Sequence, residues 1–279
     1  MNIEIIEINK RSYIKRFINF AFSHYSEDKH YIAEPISAQM HILGITNPFL
    51  KHSEIKLWMA MGDKVPLGRI VAIYNRTHAE IHNPNEGFFG FFESVNNINV
   101  AKLLFSYSEN WLKTKGISTI IGPTNLTTND SCGVLVEGHQ LDPVVMMPYS
   151  KPYYNQLLID CGFEKAIDLY SYSIDGTDVE LKYGNLFNRI REKVAQKGIT
   201  IRHLDREKFE ADIINLMPVY NITNQNNWAF MPLNRDEFLD MAHQLKRTTP
   251  LSKALISEHQ NRIIGNLIAI TDLNQIYKH

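Results

Sequence analysis

Apolar and polar positions alternate from the start of the chain. IEIIEI (3–8) is β-branched with a period of two, which predicts a strand. The period then changes. In SYIKRFINFAFSHY (12–25) the apolar positions Ile14, Phe17, Ile18, Ala21 and Phe22 have helical spacing, with Ser12 as a candidate N-cap. Residues 26–54 are mixed and polar, broken by Pro35 and Pro48. IKLWMAM (55–61) and LGRIVAIYN (67–75) flank Gly62-Asp63-Lys64, which predicts an antiparallel hairpin. EGFFGFF (86–92) predicts a further strand, and residues 96–115 a helix with Ile98, Ala101, Leu104, Phe105, Ser108, Trp111 and Leu112 on one face and Gly116 as its stop.

STIIG (118–122) predicts a short buried strand, and YYNQLLIDCG (153–162) a helix closed by Gly162. FEKAIDLYSYSI (163–174) predicts a strand. Between them residues 123–150 are rich in Asn, Thr, Gly and Pro and predict a long loop, a length usually tied to function. The order βα-ββ-βα-β-loop-αβ fits one mixed sheet with helices on it.

The pattern then recurs. Residues 199–221 have the layout of 3–25, and KALISEHQNRIIGNLIAI (253–270) that of KLWMAMGDKVPLGRIVAI (56–73), with Gly265 against Gly68. Both matches share an offset of about 196–197 residues, which separate chance matches would not do. The expected organisation is a first domain at 1–176, a connecting helix at 177–198 and a partial second copy at 199–279.

Composition narrows the function classes. Hydrophobic residues make up 44% of 279, enough for a sizeable core, and the net charge of −1 offers no bulk attraction to nucleic acid or an anionic membrane. Cys132 and Cys161 form no CxxC or Cys/His cluster, and no metal site is expected. The N-terminal residues have acids among the apolar ones, unlike a signal peptide, and no apolar run reaches membrane-spanning length, so a cytoplasmic protein is the expectation.

The hairpin, the aromatic strand, the polar break, the long helix, the short strand and the helix-Gly-Phe-strand closure together resemble the GCN5-related N-acetyltransferase (GNAT) superfamily. The anchors are LGRIVAI, GFFGFFE and LLIDCGFEKAIDLYSYSI. NPFLKH (47–52), IGPTN (121–125), GVLVEG (133–138), MMPYSKPYYNQLL (146–158) and NNWAFMP (226–232) resemble more narrowly a bacterial group with two such domains in tandem. In that group the chain continues beyond DLNQ (272–275), so only the front half of the second copy is expected here. The resemblance implies an α/β (α+β) fold: a GNAT-like, mixed, mostly antiparallel sheet with flanking helices.

The resemblance also implies an acyl-coenzyme A donor, acetyl or longer, with its pyrophosphate at the start of the helix beginning near residue 96. Unpaired amides and the helix dipole favour an anion there. The superfamily's Gln/Arg-x-x-Gly-x-Gly/Ala pattern falls on Asn96, Asn97, Ile98, Asn99, Val100 and Ala101, with Asn99 in place of a glycine. Phe91, Phe92 and Asn125 complete the expected donor-binding set. Glu93, at the end of the aromatic strand, is the candidate base that takes the acceptor's proton. The superfamily's acid, a Tyr in the closing helix, falls on Leu158, which leaves Tyr154 as the catalytic candidate and Tyr153 beside it at the substrate. The loop adds Asn129, Asp130, Glu137, His139 and Tyr149 as substrate candidates, and Met146 and Met147 suit an apolar acyl chain. The implied activity is N-acyl transfer to a small-molecule amine or amino acid. The alternative is a non-catalytic protein that uses the same cleft to hold a metabolite or partner. An open sheet edge in the second copy would suit a homodimer.

Overall fold

The computed structural model describes residues 2–174 and 176–278. They form two units. The first comprises Met1–Ala166, Trp228–Met231 and Asp272–His279, and the second Ile167–Asn227 and Pro232–Thr271.

The first unit begins with β1 (Ile3–Glu7) and α1 (Arg11–His24), followed by α2 (Ile36–Ile42). α1 begins at Arg11 with Lys10 before it, so Ser12, the candidate N-cap, lies inside the helix instead. The hairpin of β2 (Ser53–Gly62) and β3 (Val65–Asn75) comes next, then α3 (Arg76–Ile81), β4 (Glu86–Ser94), α4 (Ile98–Lys113), β5 (Thr119–Ile121) and α5 (Tyr154–Asp160). The sheet order is β1-β2-β3-β4-β5. Three pairings are antiparallel, and β4 runs parallel to β5 from Glu86↔Thr119 to Phe88↔Ile121. This is the expected mixed, mostly antiparallel sheet with flanking helices. The β2–β3 turn uses Asp63 and Lys64 at φ 49° and 69°, the left-handed pair that a tight hairpin requires.

Period-two alternation divides β2 and β3 between two cores. Trp58, Ala60, Ile70 and Ala72 pack with Val100, Leu104 and Leu112 of α4 and with Tyr154 and Leu157 of α5. Leu57, Met59, Val71 and Ile73 pack with Phe17 and Ile18 of α1. The sheet is thus covered on both faces.

One irregularity decides where the chemistry sits. The β3–β4 register runs from Val71↔Gly90 to Arg69↔Glu93, so β4 carries an extra residue, and Phe91 stands at φ 48°. Before this bulge Phe88 faces the α1 core and Phe89 the α4 core; after it Phe91 faces the α1 core and Phe92 the α4 core. The phase of the strand has flipped, and Glu93 follows Phe91 onto the α1 side. Gly90 permits the close approach beside it: a Cβ there would lie 1.6 Å from the Thr124 carbonyl oxygen.

The second unit contains α6 (Gly176–Gln196), β6 (Ile199–His203), α7 (Phe209–Asn224), α8 (Arg235–Thr248), β7 (Ala254–His259) and β8 (Arg262–Ile268). Its antiparallel sheet has the order β6-β7-β8. A single core of Leu204, Phe209, Ile213, Leu216, Phe238, Ala242, Ala254 and Ile256 supports it. The β7–β8 turn repeats the left-handed pair, at Gln260 and Asn261. The last helix, α9 (Asn274–Tyr277), belongs to the first unit.

Residues 163–174 differ from expectation. Phe163 packs on Phe89 and Phe105 with centroids 5.2 and 4.6 Å away, but no strand follows among the described residues. Leu169, Tyr170, Tyr172 and Ile174 are exposed. Alternation states which side chains a strand would bury, yet a strand also needs an edge to pair with. The sheet order among the described residues ends at β5, three residues long.

Candidate functional site

The flipped end of β4 gathers ionisable groups from four segments. Glu93 Oε2 accepts hydrogen bonds from the Tyr25 hydroxyl (2.7 Å) and the Tyr154 hydroxyl (2.6 Å). Glu93 Oε1 lies 3.8 Å from Arg69 Nη2 on β3. Arg69 is buried; its Nη1 donates to the Phe17 and Ile18 carbonyls of α1, and its guanidinium stands over the rings of Phe17 and Phe91. α1 therefore delivers Tyr25 just past its end and also anchors the cation beside the carboxylate.

His24 completes the cluster. Its Nε2 lies 3.1 Å from the Tyr154 oxygen and 3.3 Å from the Tyr153 oxygen. The Tyr154 proton goes to Glu93, and the Tyr153 proton to the Ser94 carbonyl at 2.6 Å. Both phenol protons are committed, so Nε2 carries the imidazole proton and donates. The Ser94 amide also donates to the Tyr154 oxygen, at 2.9 Å. That oxygen accepts two hydrogen bonds and gives one, so its capacity is used.

Burial sets the proton affinities. It pushes the Glu93 carboxyl up, against the opposing pull of Arg69 and of the Tyr154 and Tyr25 hydrogen bonds. His24 is lowered to about 4, first by burial and then by the positive charges of Lys151 and Arg69, and is neutral near pH 7. Burial raises Tyr25, Tyr153 and Tyr154, reinforced by the negative Glu93, so these phenols keep their protons. The arrangement is a buried carboxylate with Oε2 locked by two phenols and Oε1 outside hydrogen-bond distance of Arg69. The side chain is 12% accessible, which leaves it within reach of a proton donor.

The residues expected around the donor have mixed fates. The rings of Phe91 and Phe92 are core: Phe92 stacks on Phe105 at 4.8 Å and lies 5.7 Å from Tyr154. The Phe91 amide donates to Asn125 Oδ1 at 2.8 Å, and the Thr124 amide to the Phe89 carbonyl at 2.8 Å. Asn97 caps α4, its side chain accepting from the Asn99 amide at 2.9 Å. The amides of Val95, Asn97, Val100 and Ala101 also donate to main-chain carbonyls. Asn96 and Asn99 are exposed, Ile98 is half-buried against the core, and Ala101 is core. The start of α4 thus spends several of its donors within the chain.

The loop candidates disperse. Tyr149 joins the cluster: its hydroxyl donates to Asp28 at 2.9 Å, and its ring lies 6.0 Å from that of Tyr25. Asn129 is a structural donor to the Met231 carbonyl, at 3.1 Å. Asp130 accepts from the Thr127 amide and hydroxyl. Glu137 is exposed, and His139 Nε2 is buried with no hydrogen-bond partner. Met146 and Met147 are exposed. Among the described residues no His, Cys, Asp and Glu group could hold a metal ion, and no helix is long and apolar enough to cross a membrane.

The sequence reading missed His24, Tyr25, Tyr31, Arg69 and Lys151. Helical spacing placed the end of α1 as amphipathic surface and core. A weak signal was available, since His24-Tyr25 ends a helix and leads into a polar segment, as Glu93 ends a strand.

Comparison with known proteins gives two relatives in sequence. Escherichia coli protein YghO is 31% identical over 268 residues, covering 96% of this chain and 68% of the relative. A Caulobacter vibrioides protein, bacterial ceramide synthase, is 26% identical over 277 residues, covering 98% of this chain and 71% of the relative. No family model matches the chain. Solved structures similar in part include an aminoglycoside acetyltransferase from an uncultured soil metagenomic sample, at 10% identity and TM-score 0.39 over 62% of this chain and 97% of that one. Another is AAC(6')-Iy in complex with a bisubstrate analogue, at 15% identity and TM-score 0.39 over 63% and 99%.

Proposed function

The chain belongs to the family of the Escherichia coli protein YghO, and we propose that its first unit is an N-acyltransferase that moves an acyl group from an acyl thioester to the amine of a small molecule. The observation that carries this reading is the Glu93 carboxylate, held by Tyr25 and Tyr154 beside a neutral His24. An amine attacks a thioester only as the free base, so its proton needs an acceptor. Glu93 Oε1 takes that proton, directly or through one water, while the two phenols fix the other oxygen. A carboxyl raised by burial accepts a proton nearer to neutral pH than a solvated one. Tyr154 couples Glu93 to His24 and holds both in place. As the N–C bond forms the C–S bond breaks, and the leaving thiolate takes back, directly or through water, the proton that Glu93 received from the amine.

The donor in this reading is acetyl-coenzyme A or a longer acyl-coenzyme A, which supplies the activated carbonyl. The Caulobacter relative's name supports the longer chain and an acceptor that is an amino alcohol, since a ceramide is an N-acylated amino alcohol. The stretch 199–279 reads as a partial second copy of the first unit, supported by the shared strand–helix–hairpin order. The cytoplasm is the proposed location.

A non-catalytic binding protein is the second reading, favoured by the internally satisfied amides at the start of α4. The test is thiol release from acetyl- and palmitoyl-coenzyme A across a panel of primary amines that includes a long-chain amino alcohol. Under the first reading release depends on the amine and falls by about 10²–10⁴ in Glu93→Gln. Release equal in both proteins, or absent with every amine, would leave the binding reading in its place.

A further inference from the structure

Three tyrosines stand next to the Glu93 cluster. Tyr25 and Tyr31 stack face to face, with centroids 4.1 Å apart and planes 11° apart. Tyr149 meets both at an angle, at 6.0 and 6.2 Å. Tyr31 closes one face of Tyr25, so a cation over that ring takes the other. One is there: Lys151 Nζ, 5.2 Å from the Tyr25 centroid.

The charges around these rings are mostly negative. Glu93 accepts from Tyr25, and Asp28 accepts from Tyr149. Tyr31 is raised first by burial and then by Glu93, with Glu34 adding to it and Arg69 opposing. Glu34 is exposed, and its carboxyl is raised, first by burial and then by Asp130. Two cations oppose these acids: Lys151 over Tyr25, and Arg69, which is tied down by the Phe17 and Ile18 carbonyls. Electron-rich ring faces backed by carboxylates attract ammonium groups.

We propose that Tyr25, Tyr31 and Tyr149 form the subsite that receives the acceptor as its ammonium ion, and that Lys151 Nζ marks the position over Tyr25 which that cation takes. The role as acceptor subsite rests on the acyl-transfer reading; the affinity for an ammonium does not. The subsite lies against the base, because Tyr25 belongs to it and donates to Glu93 Oε2. An amine that arrives charged is therefore held within one residue of the group that deprotonates it. Selectivity follows: cationic amines bind, and neutral molecules of the same shape do not.

The experiment is calorimetric titration with choline and with its neutral isostere 3,3-dimethylbutan-1-ol, on the full chain without any acyl donor. Choline is expected to bind at least about tenfold more tightly than the isostere. Lys151→Met, which removes the competing ammonium, is expected to tighten choline about tenfold. In that background Tyr31→Leu loses the gain, whereas Tyr31→Phe, which keeps the ring, retains it. Equal binding of choline and the isostere, or no tightening in Lys151→Met, would overturn the proposal. Choline binding with no thiol release from any donor would sink the acyltransferase reading and leave the subsite standing; release without ammonium selectivity would do the reverse.

Discussion

Each unit joins a strand, a helix and a hairpin, and the two fasten these elements in different ways. In the first, Arg16 of α1 reaches Met61 of β2 through one weak polar contact, Arg16 Nη2 to Met61 Sδ at 3.9 Å. In the second stand Arg202 of β6, Asp212 of α7 and Glu258 of β7. Arg202 grips Asp212 with two hydrogen bonds of 2.7 Å and Glu258 with one of 2.8 Å. Each hairpin changes register once, between Ala60 and Met61 in the first and between Ser257 and Glu258 in the second. What differs is burial. The first sheet has a core on each face, the second a single core. The doubly covered sheet gathers carboxylate, imidazole and guanidinium around Glu93 with Oε1 outside hydrogen-bond distance of Arg69, whereas the other joins its charges in direct ion pairs. The acids record this. Hydrogen bonds from Arg202 lower Asp212, while burial raises Glu93.

The largest effect on stability should therefore come from the fastener. Asp212→Ala is expected to cost about 2–3 kcal/mol, discounted from a fully buried pair because Arg202 is partly exposed. Urea unfolding followed by circular dichroism measures it. Glu93→Gln is expected to cost less than about 1 kcal/mol, since an amide keeps an oxygen for the phenols. If Glu93→Gln destabilises as much as Asp212→Ala, Glu93 is a fastener too and the contrast collapses.

How far the sequence revealed this depends on which residues act through local pattern. The strands, α4 and both hairpin turns follow from alternation, helical spacing and the residues at their ends. α8 carries a local signal that the pattern reading passed over, the capping-box pair Asn234 and Glu237, which the structure completes. Glu93 could be singled out by its place at a strand end, but its orientation could not, since that comes from the bulge at Phe91, where no glycine announces a left-handed residue. Tyr25, Arg69 and Lys151 lie far from Glu93 in sequence, and periodicity says nothing about which distant helix end meets which strand end. The alternation in 163–174 misled because pattern gives a strand's faces and not its partner.

The pH dependence of stability gives the next effect. His24 is held neutral down to about 4 against an ordinary value of 6.5, so between those limits the unfolded chain binds a proton that the folded one refuses. Its contribution is full above pH 6.5 and is lost as pH falls to about 4, on the order of 2 kcal/mol after discounting for partial exposure. Glu93 works in the opposite direction. Its raised carboxyl contributes below its ordinary 4.5 and loses that contribution as pH rises. His24→Gln is thus expected to flatten the acid limb of the stability profile, and Glu93→Gln to steepen the net loss between pH 6.5 and 4.5. Asp212, lowered by Arg202, adds its own loss only at more acid pH. A profile unchanged by His24→Gln would mean that the imidazole is not desolvated.

The smallest effect separates two caps of the same type. Asn97 caps α4 in the first unit, and Asn234 caps α8 in the second. Replacing either with Ala should cost about 1 kcal/mol, and with Gly only a few tenths. Their consequences for ligand binding should diverge. Asn97 Oδ1 holds the Asn99 amide, one of the donors that an anion at this helix start would use. Asn97→Gly releases that donor and is expected to strengthen coenzyme A binding several-fold by calorimetry, while Asn234→Gly leaves it unchanged. Equal stability losses with unequal effects on coenzyme A would show that the first unit's cap competes with a phosphate, and that a polar group of the same kind serves chemistry in one unit and fastening in the other. Equal effects on both would make Asn97 a plain cap and move the donor's phosphates elsewhere on the protein.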